Sequence, residues 1–317
     1  MSAPGTAPTG FVGLGNMGGR IARRITDAGT PLLGHDRETG RVREAGAEPA
    51  ADLAEIARRC DTILLSLPDS TVVEAVVEGE GGLLAHARPG QTVVDLSTSA
   101  PASTVRLHGL LAERGAVLLD AGVTGGAAAA ERGALTVMAG GPDAELDRLA
   151  DLFGLFAARV HRMGAVGAGH SAKLLNNFLN AVSLAATAEV MVAGDRAGLD
   201  PAQLLEVFNS GSGMNFATRN RFPHIVRGDY LEGGLTGDLM LKDVLLYLAH
   251  LRDLGVPSLN AAGPVASFGA AARLGYGDLI SNRVFDALGD LAGAPARPGC
   301  PDPAPDQAGD PHQEAGT

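Results

Sequence analysis

Residues 11–29 read FVGLGNMGGRIARRITDAG. A short apolar run breaks into Gly13-Leu14-Gly15-Asn16-Met17-Gly18 and then into an amphipathic stretch, the pattern of a strand, a tight glycine turn and a helix start. Gly13 permits the turn, Gly15 lets the backbone approach a pyrophosphate, and Gly18 lets the helix lie close to the sheet. The first N–H groups of the helix then face phosphate charge. Glycine-rich turns also serve purely structural βα joints, so the hexad alone decides little. Here it follows an apolar strand over residues 10–12 and precedes a second strand over 31–34, which ends at His35-Asp36-Arg37. Asp36 lies 18 residues beyond Gly18, where a carboxylate accepts hydrogen bonds from the adenosine ribose. That carboxylate repels a 2′-phosphate, whereas Arg37 is placed to pair with one. NAD is the expected cofactor, with NADP as the alternative.

Outward from this unit, the run TILLSL (62–67) closes at Pro68-Asp69, and TVVDL (92–96) closes at Ser97-Thr98-Ser99. Nearly continuous apolar runs of this length are strands buried on both faces of a parallel sheet. Residues 116–119 lead into Asp120 and a glycine-rich turn, and 135–139 and 157–160 are shorter strand candidates. Helical patterns at 52–59, 72–77, 104–114 and 144–156 alternate with them, which gives an open α/β sheet. Leu67, Pro68, Ser97 and Thr98 fall at strand carboxyl ends, where such a sheet places its ligand, and join the cofactor set.

The rhythm changes at Met163-Gly164. Over 169–194 apolar residues recur at helical spacing: Leu174, Leu175, Phe178, Leu179, Val182, Leu184, Ala185, Ala188, Met191 and Val192. A helix of that length spans on the order of 35–40 Å and suits a bridge between two domains. Residues 201–209, 236–255, 264–274 and 279–291 all read as helices, with no further strand. The expected organisation is an α/β dinucleotide-binding domain over 9–164 and an all-helical substrate and oligomerisation domain over 165–292, with a cleft between them. Residues 293–317 hold six prolines and four acidic residues but no Leu, Ile, Val or aromatic residue. Such a tail cannot offset its ordering entropy by burial and is expected to be disordered.

The 317 residues are 45% hydrophobic, enough for two packed domains. A net charge of −11 argues against a nucleic-acid surface. Two cysteines and eight scattered histidines offer neither a disulfide framework nor a metal-ligand set, so no metal is expected. No uninterrupted apolar stretch of about 18 residues and no basic-then-apolar leader is present, which points to a cytoplasmic protein without a membrane span.

An alcohol dehydrogenation needs one group to take or give the hydroxyl proton. His161 and His170 flank the domain junction and have the usual side chain for the task. Lys173 is better placed, because Lys173, Asn176 and Asn177 are spaced i, i+3 and i+4 in GAVGAGHSAKLLNN and share one helical face. Such a face is costly to bury unless it lines a site.

Four blocks in order, over roughly residues 10–290, resemble the β-hydroxyacid dehydrogenase family, of the 3-hydroxyisobutyrate dehydrogenase and tartronate semialdehyde reductase type. GLGNMG is similar to the family's cofactor turn, and DAGVTGGAAAAERGAL to its substrate-binding DAPVSGG block. GAVGAGHSAKLLNN resembles its catalytic helix, and Lys242-Asp243 in LMLKDVLLYL a pair that closes the active site. The resemblance implies a Rossmann-type domain, with Lys173 as catalytic acid/base and Asn177 as its support. It also implies Thr124, Gly125, Gly126 and Lys242 as holders of a small carboxylate substrate, with Lys242 touching the cofactor as well. To serve as base, Lys173 needs its pKa depressed by desolvation and neighbouring positive charge. Family members assemble as dimers or tetramers through the helical domain, and the apolar positions Val244, Leu245, Leu248 and Leu251 fit that expectation.

The departures concern the substrate. Gly122 and Thr124 replace the family's Pro and Ser. Gly122 frees the backbone, while Thr124 keeps the hydroxyl and adds a methyl. Ala129-Ala130 stands where the family has glycine before alanine. The 6-phosphogluconate dehydrogenases carry His-Asn after this lysine, against Asn176-Asn177 here, and imine reductases usually lack the lysine. The resulting expectation is an NAD(P)-dependent oxidoreductase interconverting a small β-hydroxyacid and its semialdehyde or keto form. An imine or carbonyl reductase using the same cleft, and a non-enzymatic cofactor-sensing relative, are the competing readings.

Overall fold

The computed structural model describes residues 7–293. The tail expected at 293–317 lies outside the described residues from position 294 onward. β1 (Thr9–Val12), α1 (Asn16–Asp27), β2 (Leu32–His35), α2 (Thr39–Glu44) and β3 (Glu48–Pro49) form the first alternating run. It continues with α3 (Leu53–Arg59), β4 (Thr62–Leu65), α4 (Ser70–Glu78), β5 (Thr92–Asp95), α5 (Pro101–Ala112) and β6 (Val117–Thr124). α6 (Gly126–Glu131), β7 (Leu135–Gly140), α7 (Asp143–Arg148), α8 (Ala150–Gly154) and β8 (Ala157–Gly164) complete it. One sheet results, in the order β3-β2-β1-β4-β5-β6-β7-β8. Every neighbouring pair is parallel except β6 and β7.

Alternation along the strands explains the two cores. Phe11, Leu64, Val94 and Leu119 point into one cluster, and Val12, Ile63, Leu65, Val93 and Leu118 into another. With a side-chain period of two, these are the opposite faces of the sheet. All four residues of β4 and of β5 are buried, which is why both strands read as unbroken apolar runs. β6 extends past the expected end at Leu119. Its residues Asp120–Thr124 pair antiparallel with β7, from Asp120↔Gly140 to Thr124↔Thr136, so the ladder gives partners to backbone that the sequence suggested was turning. The helix expected at 144–156 is interrupted at Leu149, which separates α7 from α8.

The remaining helices are α9 (Ala168–Arg196), α10 (Pro201–Ser210), α11 (Phe216–Asn220), α12 (Phe222–Ile225), α13 (Gly237–Asp253), α14 (Ala262–Ala271) and α15 (Val284–Leu291). α9 has 29 residues and is the long continuous helix that the spacing implied. Beyond β8 the described residues hold no strand, only an isolated bridge between Thr236 and Ile280. The protein is therefore a Rossmann-type α/β sheet followed by an all-helical part. None of the helices among the described residues is long and apolar enough to cross a membrane.

By packing, the chain forms two compact units. One holds the residues up to Leu179 with Lys242–Leu259, and the other holds Asn180–Leu241 with the residues from Asn260 on. α9 and α13 thus each contribute to both. In the first unit, α9 and α13 are joined by stacked rings of Phe178 and Tyr247, 3.8 Å between centroids. In the second unit Asn215 caps α11 in a reciprocal box with Thr218 and meets Thr187 of α9. There Arg221 donates to Asn180 and Asn282, and Phe222 packs edge-on against Phe285.

Candidate functional site

The glycine turn is built as its sequence suggests. Gly13 has φ +88°, and a Cβ on it would collide with the Ser66 carbonyl and lie 2.8 Å from the Leu67 side chain. A Cβ on Gly18 would overlap the Gly13 carbonyl oxygen. Both glycines are required by the protein itself. Gly15 differs, because the nearest atom to a Cβ there is the Arg41 guanidinium at 3.8 Å. Nothing in the packing demands glycine at this position, and no side chain caps the N-terminus of α1. Bare glycine backbone at the start of a 12-residue helix without a side-chain cap fits a dinucleotide phosphate approaching closely. Leu14 is buried, Met17 half-buried and Asn16 exposed.

Asp36 stands just past β2. One of its oxygens accepts the Leu14 N–H at 2.7 Å and the other accepts the Glu38 N–H at 2.9 Å. The carboxylate is thereby locked against the glycine turn, with lone pairs left over for ribose hydroxyls. Arg37, the next residue, is exposed.

The loops after β4 and β5 are sewn together beside the turn. The Leu67 N–H donates to Ser97 Oγ at 2.9 Å. Lys242 Nζ donates to the Pro68 carbonyl at 2.8 Å and to the Thr98 carbonyl at 3.3 Å. It also sits 3.0 Å from Asp243 Oδ1. Pro68 and Thr98, distant in the chain, are therefore gathered with Asp243 around one ammonium.

Lys173 lies one turn and a half into α9. Its Nζ donates to the Val123 carbonyl at 2.6 Å, next to Thr124. Gly122 explains how the lysine gets there: a Cβ at 122 would stand 2.8 Å from Lys173 Cβ and 3.0 Å from its Cγ. The expectation that Gly122 frees the backbone is corrected by its position inside the β6 ladder, without positive φ. What it supplies is an absent side chain, so the lysine stem lies directly on the strand. Gly125 and Gly126 follow with φ +127° and +73°, and this exposed left-handed pair turns β6 into α6. Thr124 is half-buried at the edge of that turn.

Of the two asparagines, only Asn177 is buried; Asn176 is exposed and donates to the Asn177 amide oxygen. Asn177 Nδ2 donates to Asp243 Oδ2 at 2.5 Å. Asp243, 1% exposed, is the residue that reading for individual site positions left out. It accepts from Asn177, pairs with Lys242, and its charge reaches Lys173. The sequence did carry a signal for the cluster. Only 2 of the 25 basic residues are lysines, Lys173 and Lys242, and this site holds both. Arginine serves for charge elsewhere, but it cannot be deprotonated, whereas a lysine can. His161 is exposed on β8, and His170 is fully buried.

Burial pushes the Lys173 amine down from the ordinary 10.5 to about 8. The Asp243 carboxylate pulls it back up and the Lys242 ammonium pushes it further down. With two lysines in the chain, 13C-dimethylation or 15N-lysine labelling resolves each by NMR. A midpoint near 8 is expected for Lys173. In Asp243→Asn the carboxylate that favours the ammonium is gone, so the midpoint moves lower. A midpoint that stays put or rises contradicts the charge arrangement.

Comparison with known proteins agrees with this architecture. The family model for the NAD binding domain of 6-phosphogluconate dehydrogenase matches residues 8–164. That for the NAD-binding part of NADP-dependent 3-hydroxyisobutyrate dehydrogenase matches residues 167–283. The chain is 35% identical over 272 residues to L-threonate dehydrogenase of Cupriavidus necator, covering 84% of this chain and 91% of that protein. It is 37% identical over 290 residues to mitochondrial 3-hydroxyisobutyrate dehydrogenase of Rattus norvegicus, covering 89% and 87%. The solved 3-hydroxyisobutyrate dehydrogenase of Mycobacterium tuberculosis with L-serine superposes with a TM-score of 0.79 at 27% identity, covering 90% of this chain and 99% of that one. Matched along both halves and in order, the chain belongs to the β-hydroxyacid dehydrogenase family of 3-hydroxyisobutyrate dehydrogenase-like, NAD(P)-dependent oxidoreductases.

Proposed function

We propose that the protein interconverts a small β-hydroxyacid and its semialdehyde or keto form, with Lys173 as the general acid/base. The observation that carries this reading is the buried Lys173 amine, poised near pH 8 beside the β6 turn. NAD(P) held by Gly13–Gly18, Asp36 and the loops at Leu67-Pro68 and Ser97-Thr98 supplies hydride acceptance or donation. In oxidation, neutral Lys173 takes the substrate hydroxyl proton at Nζ. In reduction, the Lys173 ammonium returns that proton to the carbonyl-derived oxygen. Asn177, held by Asp243, orients the reacting oxygen toward Nζ. Thr124 Oγ1 and the N–H groups of Gly125 and Gly126 hold the substrate carboxylate, since a hydroxyl and a left-handed glycine turn present donors to an anion. Lys242, fixed on the Pro68 and Thr98 carbonyls, would help hold the dinucleotide and would supply positive charge to it.

Lys173→Ala is expected to lower turnover by about 10²–10⁴-fold while dinucleotide affinity, measured by fluorescence titration, stays close to wild type. The sign of the pH dependence follows from a base that must be neutral in oxidation and protonated in reduction. Oxidative kcat/KM rises with pH through about 8, and the reductive rate falls over the same range. Near-wild-type turnover of Lys173→Ala with an unchanged profile rejects the assignment.

Asp36 supports a preference for NAD, because its carboxylate is fixed at the turn and opposes a 2′-phosphate. In Asp36→Ala the ratio of catalytic efficiencies is expected to move toward NADP, with Arg37 now free to meet the phosphate. An unchanged ratio removes Asp36 as the selector.

A homodimer or homotetramer is the proposed assembly. The surface that supports it differs from the one the sequence suggested: Val244 and Leu251 are buried within the chain, while Leu245 is exposed. Leu175 and Leu179 on α9, and Val207 and Phe216 in the helical unit, are exposed large apolar side chains, and extended apolar surface marks a partner site. Light scattering coupled to gel filtration is expected to give two or four times the 32.2 kDa chain mass. A single-chain mass that persists at higher concentration rejects it.

A further inference from the structure

His170 takes no part in the chemistry assigned above, yet it is 0% exposed and fully engaged. Its Nδ1 lies 2.7 Å from Thr104 Oγ1 of α5, and its Nε2 lies 3.3 Å from the Asp95 carbonyl at the end of β5. A carbonyl only accepts, so Nε2 is the donor toward Asp95, while the Thr104 hydroxyl is shared between Nδ1 and the Ala100 carbonyl at 3.2 Å. Both ring nitrogens have a partner.

What Asp95 does next gives the contact its meaning. Its carboxylate accepts the Ser97 N–H at 2.9 Å and the Ser99 hydroxyl at 2.7 Å, which shapes the loop after β5. That loop accepts Leu67 N–H on Ser97 Oγ, and accepts Lys242 on the Thr98 carbonyl. Lys242 meets Asp243, and Asp243 holds Asn177. Asn177 lies back on α9, two turns beyond His170. The polar contacts therefore close a ring that leaves α9 at His170, passes through the β5 loop and α13, and returns to α9 at Asn177. Lys173 is the residue on the same helical face between these two points.

We propose that His170 is a positioning residue, whose imidazole fastens the turn of α9 carrying Lys173 to the Ser97–Ser99 loop through the Asp95 carbonyl. A lysine stem has four rotatable bonds, and its amine is useful only where the helix backbone beneath it is fixed. Asn177 and Asp243 fix the turn after Lys173; before it, Asp120 already holds the backbone through the His170 N–H, and the His170 imidazole adds the tie to the end of β5. The same link sets the separation between Lys173 and the loop read above as part of the cofactor site. This inference rests on the proposed acid/base role of Lys173.

Three substitutions separate the two legs of the imidazole. A glutamine places its amide nitrogen near the position of Nε2 and keeps the Asp95 leg. An asparagine reaches only the position of Nδ1 and keeps the Thr104 leg. A phenylalanine fills the volume and loses both. The measurements are kcat, substrate KM, the oxidative pH profile and the thermal midpoint, each on the full chain with saturating dinucleotide. His170→Gln is expected within about threefold of wild-type kcat, and His170→Asn and His170→Phe lower by about 10–100-fold, with substrate KM changing less than kcat. A merely structural histidine lowers the thermal midpoint in all three and leaves kcat per folded enzyme alone. That result overturns the proposal, as does equal kcat for the glutamine and asparagine variants. Lys173→Ala measured alongside distinguishes the failures: if it retains turnover, the acid/base reading has failed rather than the positioning one.

Discussion

The fixed point of this structure is a carboxylate at the end of a strand. Asp120, 0% exposed in β6, accepts the Gly167 N–H on one oxygen and the His170 N–H on the other, both at 2.7 Å. These amides belong to the start of α9, where backbone donors have no partner within the helix. A buried carboxylate with such donors is compensated, and the positive end of a 29-residue helix faces a negative charge. The helix cannot slide along the sheet or rotate on it without breaking both bonds. Close packing reinforces the register: a Cβ on Gly169 would overlap the Met138 carbonyl oxygen, and one on Gly140 would stand 2.6 Å from Asp120 Oδ1. Lys173 is one turn beyond this anchor, and its position follows from it.

From that anchor the polar groups form a sequence of dependencies rather than a collection. β6 supplies the Asp120 anchor and the Val123 carbonyl that receives Lys173 Nζ. α13 supplies an adjacent acid and base of opposite use. Asp243 steadies Asn177 from below, and Lys242 spans the loops after β4 and β5. The charges are balanced so that the Lys173 amine is reachable in both protonation states. Desolvation pushes it down, the neighbouring carboxylate opposes that, and the second ammonium lowers it further, to about 8.

The sequence was most informative where a periodic constraint acts. β4 and β5 announce themselves because both faces are buried, and α9 because one apolar face persists over eight turns. The glycine hexad was readable because Gly13 and Gly18 are each demanded by sterics. Elements defined by long-range pairing were not readable. β6 was drawn too short because the ladder for Asp120–Thr124 comes from β7, which lies beyond the turn. β3 has two residues and exists only as a pairing with β2. Asp243 was marked only as the neighbour of Lys242; its bond to Asn177, 66 residues away, has no local pattern. Asp120 reads as a strand-end acid until the helix that it caps is placed.

The scarcity of lysine has a practical side. Amine-directed reagents, such as succinimidyl esters and aldehyde-activated supports, ordinarily scatter over a protein's surface. Here the side-chain amines of the whole chain are Lys173 and Lys242, one lying on β6 and the other clasping the β4 and β5 loops. Coupling through side-chain amines therefore amounts to modifying the site. Attachment of dyes or matrices without loss of activity has to go through carboxylates, of which the chain has 36.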